Sequence, residues 1–307
     1  MPGKRKRKDV AEFSLYLSDN LWQLHNDLKN KTYRHGGYQS FKICDPKPRE
    51  IHKASVCDRL VHHAVCRILF PFFDRKFVFN SFSCRKGKGT HLAMDRFRSY
   101  AGKVSKNNTR ACWVLKCDIR KFFANIDHKI LLEILAQQVK DQEILWLLSE
   151  IIESFNSKDK VGVGLPLGNL TSQLLINVYM NEFDQFVLRE LKAKYYIRYA
   201  DDFLALSSDR TKLEMFLPKI AEFLTSKLKL ELNLKKVEIK TFASGVDFLG
   251  WVHFPDHRVL RRLTKRRMLA QVSNISLKEI LKRYSGLLCH GNTWKIKSAI
   301  IKINSSI

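Results

Sequence analysis

The stretch Tyr195-Tyr196-Ile197-Arg198-Tyr199-Ala200-Asp201-Asp202-Phe203-Leu204-Ala205-Leu206 sets two adjacent aspartates between two runs of aromatic and branched residues. Runs of that composition read as β-strands, and a short polar break between them reads as a hairpin with the acids at its turn. A solvated turn usually joins half-polar strands. Here both flanks are largely apolar, which predicts carboxylates held at the edge of a buried sheet. Such a position is costly unless a cation or a dense hydrogen-bond network offsets the charge.

The rest of the chain narrows which cation and which partner. Its 307 residues suffice for a substantial core and two or three subdomains. Lysine and arginine number 55 against 30 acids, a formal charge of +25. Solubility does not require that excess; such a field attracts nucleic acid or an acidic membrane surface. No run approaches the roughly 18 apolar residues of a spanning helix. The basic start, Met1-Pro2-Gly3-Lys4-Arg5-Lys6-Arg7-Lys8, lacks the apolar segment of a signal peptide. Nucleic acid is therefore the expected partner, with no membrane, and the cytoplasm the expected compartment. The seven cysteines form no C-x-x-C pair and are odd in number, which predicts reduced, mostly buried thiols. His62 and His63 have no second ligand cluster at a zinc-like spacing.

Residues 1–40 are basic with Leu15, Leu17, Leu21, Leu24 and Leu28 near helical spacing. A Pro-rich extended piece, Asp45-Pro46-Lys47-Pro48-Arg49-Glu50-Ile51, precedes a predicted helix from Asp58 through Phe70, ended by Pro71. The basic loop at 83–91 lacks the first glycine of a Walker A sequence and reads locally as a surface turn. An apolar strand from Ala111 to Cys117 closes at Asp118, and Asp127 is placed to cap a helix. A second helix is expected over about 141–155, a loop over 162–168 and a helix from Asn169 onward. After the hairpin come an amphipathic helix around 211–229, single strands near 237–242 and 246–254, and a basic, helical last fifty residues. No internal repeat or low-complexity linker is present, so the class is α+β with a helical C-terminal module.

Asp118 and Asp201-Asp202 are far apart in sequence, yet each closes or interrupts a buried strand. Taken alone, any one of these acids reads more readily as a turn or capping residue. If the strands are neighbours, however, the carboxylates converge on one sheet edge. That is what holding two divalent ions about 3.5–4 Å apart for in-line phosphoryl displacement requires. Carboxylate oxygens are hard ligands, so Mg²⁺ or Mn²⁺ is the expected metal.

Four motifs then occur in order: Cys117-Asp118-Ile119-Arg120-Lys121-Phe122-Phe123, Gly164-Leu165-Pro166-Leu167-Gly168-Asn169-Leu170-Thr171-Ser172-Gln173, Tyr199-Ala200-Asp201-Asp202 and Phe248-Leu249-Gly250-Trp251. Over roughly 41–254 the chain resembles reverse transcriptases. The resemblance implies a right-hand polymerase: a basic N-terminal arm (1–40), fingers (41–110), a palm on an antiparallel sheet with fingers elements (111–254) and a helical thumb (255–307). Prokaryotic enzymes of group II introns and retrons share the Tyr-Ala-Asp-Asp box. The intron enzymes, however, usually carry Gln where this chain has Leu167 and Pro where it has Gln173. The loop from Gly164 to Gln173 is similar to the form found in diversity-generating retroelements. So are Lys47 through Ile51, Asp58-Arg59-Leu60-Val61-His62-His63 and Cys84 through His91. The short length fits too, leaving no room for an appended endonuclease, maturase or RNase H domain. Such enzymes copy a template RNA into cDNA with errors concentrated at adenines, work with a small basic accessory protein and diversify a target gene. An intron-derived, retron-like or phage-defence reverse transcriptase is the nearest alternative. An RNA-binding scaffold with a vestigial polymerase fold is another, against which three clustered acids argue.

The resemblance also implies roles. Asp118, Asp201 and Asp202 would hold two metal ions, with Ile119 beside them. Phe123 would be the steric gate against a 2′-OH, or else a plain core phenylalanine. Lys47 and Arg49 would clamp the triphosphate of a dNTP, for which arginine is suited by its bidentate geometry. Lys236 aligns with a lysine that protonates the leaving pyrophosphate, or it lies on a solvated face. Phe248, Leu249 and Gly250 would grip the primer. Arg261, Arg262 and Lys265 would follow the phosphates of the RNA–DNA hybrid, with Tyr284, His290 and Trp294 in the same segment. Leu167 and Gly168 would border the nucleotide. Leucine cannot make the hydrogen bond that Gln offers there, so the hypothesis is that Leu167 relaxes nucleotide selection; packing of a tighter loop is the alternative.

Overall fold

The structure, a computed structural model, describes residues 6–44, 48–158, 160–272, 284 and 286–298. Lys47, part of the expected triphosphate clamp, lies outside the described residues, as do Lys4 and Arg5 of the basic N-terminal run.

Two helices open the chain, α1 (Lys8–Leu15) and α2 (Leu17–Lys29), followed by a hairpin of β1 (Gln39–Ile43) and β2 (Arg49–Lys53). Next come α3 (Val56–Asp74), α4 (Thr90–Val104), β3 (Trp113–Asp118), α5 (His128–Gln138), α6 (Gln142–Glu153) and α7 (Leu170–Arg189). The central hairpin is β4 (Tyr196–Tyr199) and β5 (Asp202–Ser207), followed by α8 (Arg210–Leu228) and β6 (Glu238–Thr241). A small sheet of β7 (Val246–Phe248), β8 (Trp251–His253) and β9 (Arg258–Leu260) leads to α9 (Arg262–Val272).

Strands β4-β5-β3-β6 make one antiparallel sheet in that order, and side-chain alternation along it explains the core. Leu115, Cys117, Phe203, Ala205 and Tyr196 join one apolar cluster with α3, α5, α7 and α8. Val114, Leu204, Leu206 and Ile197 join a second, with Met94 and Phe97 of α4 and with Phe248 and Trp251 of the small sheet. By the same alternation Asp118 and Asp202 point to the second face, while Arg198 points to the first.

Four expectations change. Helix α3 runs on to Asp74 with Pro71 inside it. That close to the helix end the missing N–H orphans one carbonyl, and the proline φ is already helical. The single strand expected over 246–254 is a hairpin, because Leu249 and Gly250 both take a positive φ and reverse the chain. Arg258, placed in a helix, pairs in β9 instead. All seven cysteines are free, but only Cys66, Cys112 and Cys117 are buried.

Candidate active site

Tyr199 and Asp202 close the β4–β5 ladder, leaving Ala200-Asp201 as a two-residue turn. Ala200 takes φ 54, the left-handed region, and Asp201 does not. Asp202 is the direct cross-strand partner of Asp118, and the Ile119 N–H donates to the Asp201 carbonyl at 3.2 Å. One acid therefore sits in the turn and two sit opposite each other on neighbouring strands. Like charges directly opposed in a sheet repel. Burial and the nearby Asp118 push the Asp201 carboxyl up. Burial, then Asp201 and Asp118, push Asp202 up to about 6.

Asp118 is 4% exposed and carries its own counter-charge. Lys236 donates to its Oδ2 at 2.6 Å and Asn233 to its Oδ1 at 3.1 Å, while its carbonyl accepts the Asn233 N–H at 2.8 Å. Lys236 thus lies within the acid cluster, paired with Asp118. Arg49, at the start of β2, acts on Asp201 from the hairpin side and counters its upward shift.

Beyond Asp118 the chain turns sharply through Lys121, at φ 45, into a 3₁₀ turn over Phe122–Asn125. Phe122 is buried and meets Phe123 edge to face at 5.7 Å; Phe123 remains half-buried. Of the adjacent pair, Phe123 is therefore the ring with surface left to present. The Phe123 carbonyl accepts the Leu165 N–H at 2.8 Å, which ties this turn to the loop at 164–169. That loop is stitched to β2 in turn: the His52 N–H donates to the Leu167 carbonyl at 2.8 Å and Asn169 Nδ2 to the His52 carbonyl at 2.9 Å. Gly168, at φ 110, has no room for a side chain, since a Cβ would lie 2.7 Å from Ile51 Cγ2. Leu167 is half-buried beside it.

Phe248 is buried under the β7–β8 turn, with Leu249 and Gly250 at its tip. The Gly250 carbonyl accepts the Arg261 N–H at 3.0 Å, and the Arg261 guanidinium is bound to the Asp247 carboxylate. Arg261 is therefore committed to joining the turn to α9, whereas Arg262 and Lys265 are exposed on that helix. Tyr284 is half-buried, His290 lies against the His91 ring at 3.9 Å, and Trp294 is exposed.

One residue escaped the sequence reading. Arg198, two positions before Ala200, is fully buried and paired with an equally buried Asp184 of α7. An arginine inside an apolar strand was the available signal, because it demands a buried acid somewhere.

Among the described residues no three His, Cys, Asp or Glu side chains are gathered closely enough to cage a metal ion unaided. The donor set nonetheless fits a hard divalent cation. Three carboxylates share one sheet edge, and two of them are shifted toward protonation, a cost that cation binding relieves.

Among the described residues no helix is long and apolar enough to cross a membrane. Residues 44–253 match the reverse transcriptase (RNA-dependent DNA polymerase) family. Protein YkfC of Escherichia coli is 26% identical, covering 75% of this chain and 68% of that protein. The group II intron-encoded protein LtrA of Lactococcus lactis is 24% identical, covering 73% of this chain but only 35% of its own length. Telomerase from Candida albicans, solved with a fragment of telomeric RNA, shares the fold at a TM-score of 0.61 and 12% identity, over 90% of this chain and 56% of that one. These neighbours make the α+β architecture a right-hand polymerase fold with the paired aspartates on its palm sheet. With two thirds of its length matched, the chain belongs to the reverse transcriptase family.

Proposed function

We propose that this protein copies a template RNA into cDNA by metal-dependent nucleotidyl transfer at Asp118, Asp201 and Asp202, as the polymerase of a diversity-generating retroelement. The observation that carries the chemistry is the direct pairing of Asp118 with Asp202 across β3 and β5, with Asp201 in the adjoining turn. Two bound Mg²⁺ or Mn²⁺ ions supply the lowered pKa of the attacking primer hydroxyl and the stabilisation of the leaving oxygen. The chain's own residues do the rest. The three carboxylates hold the ions, and Lys236 orients Asp118 through its hydrogen bond to Oδ2. Arg49 brings a fixed positive charge to the triphosphate side. Phe123 presents a ring with no hydrogen bond for a 2′-OH, so dNTPs are selected over rNTPs. Phe248, Leu249 and Gly250 seat the primer end, and Arg262 and Lys265 follow hybrid phosphates.

The retroelement assignment rests on the loop at 164–173, where Leu167 replaces a hydrogen-bonding side chain with an apolar one. Stitched to β2 through its backbone, Leu167 borders the nucleotide without any polar group to test the base pair. The similarity to LtrA favours an intron-derived or retron-like enzyme as the second reading. Primer extension on an RNA template with Mg²⁺, followed by sequencing of the product, separates the two. Errors concentrated at template adenines, reduced several-fold by Leu167→Gln, are expected of the first reading. An error frequency untouched by Leu167→Gln rules out the role given to that residue. Phe123→Ala is expected to raise rNTP incorporation by about 10–100-fold, the scale of a lost steric discrimination.

A further inference from the structure

The palm sheet carries its acids on one face and a fully buried ion pair on the other, joined through the backbone of the turn. Arg198 and Asp184 are both 0% exposed. Arg198 Nε and Nη2 donate to the two Asp184 oxygens at 2.7 Å each. Nη2 also donates to Ser81 Oγ at 3.0 Å, and Nη1 to Asn177 Oδ1 at 3.3 Å and to the Ala200 carbonyl at 3.1 Å. A guanidinium has five N–H groups, and these five acceptors account for all of them. Tyr196 adds its hydroxyl to Asp184 at 2.7 Å. The Arg198 backbone is held as well, its N–H by Asn80 and its carbonyl by Phe82.

We propose that Arg198, set by Asp184, is a positioning residue for the catalytic turn: it grips the Ala200 carbonyl and so fixes the backbone that presents Asp201 and Asp202. This rests on the polymerase reading for the word catalytic, but the geometry stands apart from it. Ala200 occupies a left-handed conformation that residues with a Cβ rarely adopt, at a turn position where glycine is usual. Something other than the residue must hold it there. The Ile119 N–H restrains the turn at the Asp201 carbonyl, and the guanidinium restrains it one residue earlier. Fold stability alone does not account for the pair, because well-packed apolar residues often replace buried ion pairs without loss. What they cannot supply is a rigid, planar donor aimed at one carbonyl.

Arg198→Lys keeps the charge and loses the fork. The expected result is a fall of about tenfold or more in kcat for dNTP incorporation per folded molecule, with KM for dNTP within about twofold, the signature of lost alignment rather than lost binding. Amide exchange at Ile119 and across 200–202 should accelerate about tenfold, while amides in the middle of α7 stay protected. Adding Ala200→Gly to Arg198→Lys should recover part of kcat, because glycine takes the left-handed conformation unaided. A folded Arg198→Lys protein with unchanged exchange at Ile119, or with no recovery on adding Ala200→Gly, overturns the proposal. If Arg198→Lys does not fold, Asn177→Ala, which removes an acceptor of the same Nη1 without stranding a charge, should speed the same amides. The exchange readout is independent of activity. If the wild-type protein incorporates no dNTP while Arg198→Lys shows the expected acceleration of exchange, the polymerase reading fails and the positioning role stands.

Discussion

Two hairpins with two-residue turns share one apolar cluster, and each holds a left-handed first turn residue by different means. In each, the first turn residue is a non-glycine in the left-handed region: Ala200 at φ 54 and Leu249 at φ 51. At the β7–β8 turn the second residue is Gly250, also at positive φ, so the pair follows the turn that matches strand twist and most favours glycine. Open space surrounds the position a Gly250 Cβ would take, and one hydrogen bond from Arg261 tethers its carbonyl. At the β4–β5 turn no glycine is present. Aspartate occupies the second position, and the restraint comes from the Ile119 N–H and the Arg198 guanidinium. One turn is set by its local chemistry, the other by tertiary contacts.

The largest effect that would break this contrast is catalytic. Replacing Asp201 and Asp202 together by Ala should lower Mg²⁺-dependent dNTP incorporation by on the order of a thousandfold or more, as loss of transition-state charge stabilisation does. Gly250→Ala should leave chemistry largely intact and weaken primer use only a few-fold; equal losses in the two variants would remove the distinction. The next effect is electrostatic and is read in metal-free buffer. The unfolded chain releases the Asp202 proton near 3.8, while the folded protein holds it to about 6. Between those values the folded state binds more protons, so stability falls as pH rises, by about 3 kcal/mol across the window. The loss is complete above pH 6 and absent below 3.8. Asp202→Asn should flatten this slope in denaturant titrations. The smallest effects concern the turns themselves. Gly250→Ala should cost about 1 kcal/mol, because alanine is strained at φ 89 even without a clash. Ala200→Gly should change stability by only a few tenths of a kcal/mol, since relief of the left-handed strain is offset by the freer unfolded chain. Thermal unfolding of the two variants measures both.

Much of this site was legible because period-two patterning is local. Apolar runs around Asp118 and around Asp201-Asp202 announce buried strands, and two strands ending in acids are natural neighbours in one sheet. The cap at Asp127 and the start of α7 at Leu170 are short-range signals too. What the sequence did not announce depends on partners distant along the chain. The pairing of Arg198 with Asp184 needs α7 folded back on the sheet. The attachment of Lys236 to Asp118 needs β6 beside β3. The hairpin at 246–253 looks like one strand in the sequence because Leu249 carries no turn signature, and Gly250 alone does not distinguish a bulge from a reversal.

The strict division of the palm sheet between its two faces bears on how this protein can change over time. A strand paired on both sides has no spare register, and a shift of one residue exchanges its faces. Deleting a single residue within β5 would turn Asp202 toward the cluster around Phe183 and set Phe203 opposite Lys116 on the face of the acids, losing the site and the core together. Substitutions can accumulate one at a time here, but insertions and deletions cannot. Length variation among descendants of this chain should therefore gather in its loops and at its ends, leaving the spacing within β3 and from Tyr196 to Ser207 untouched.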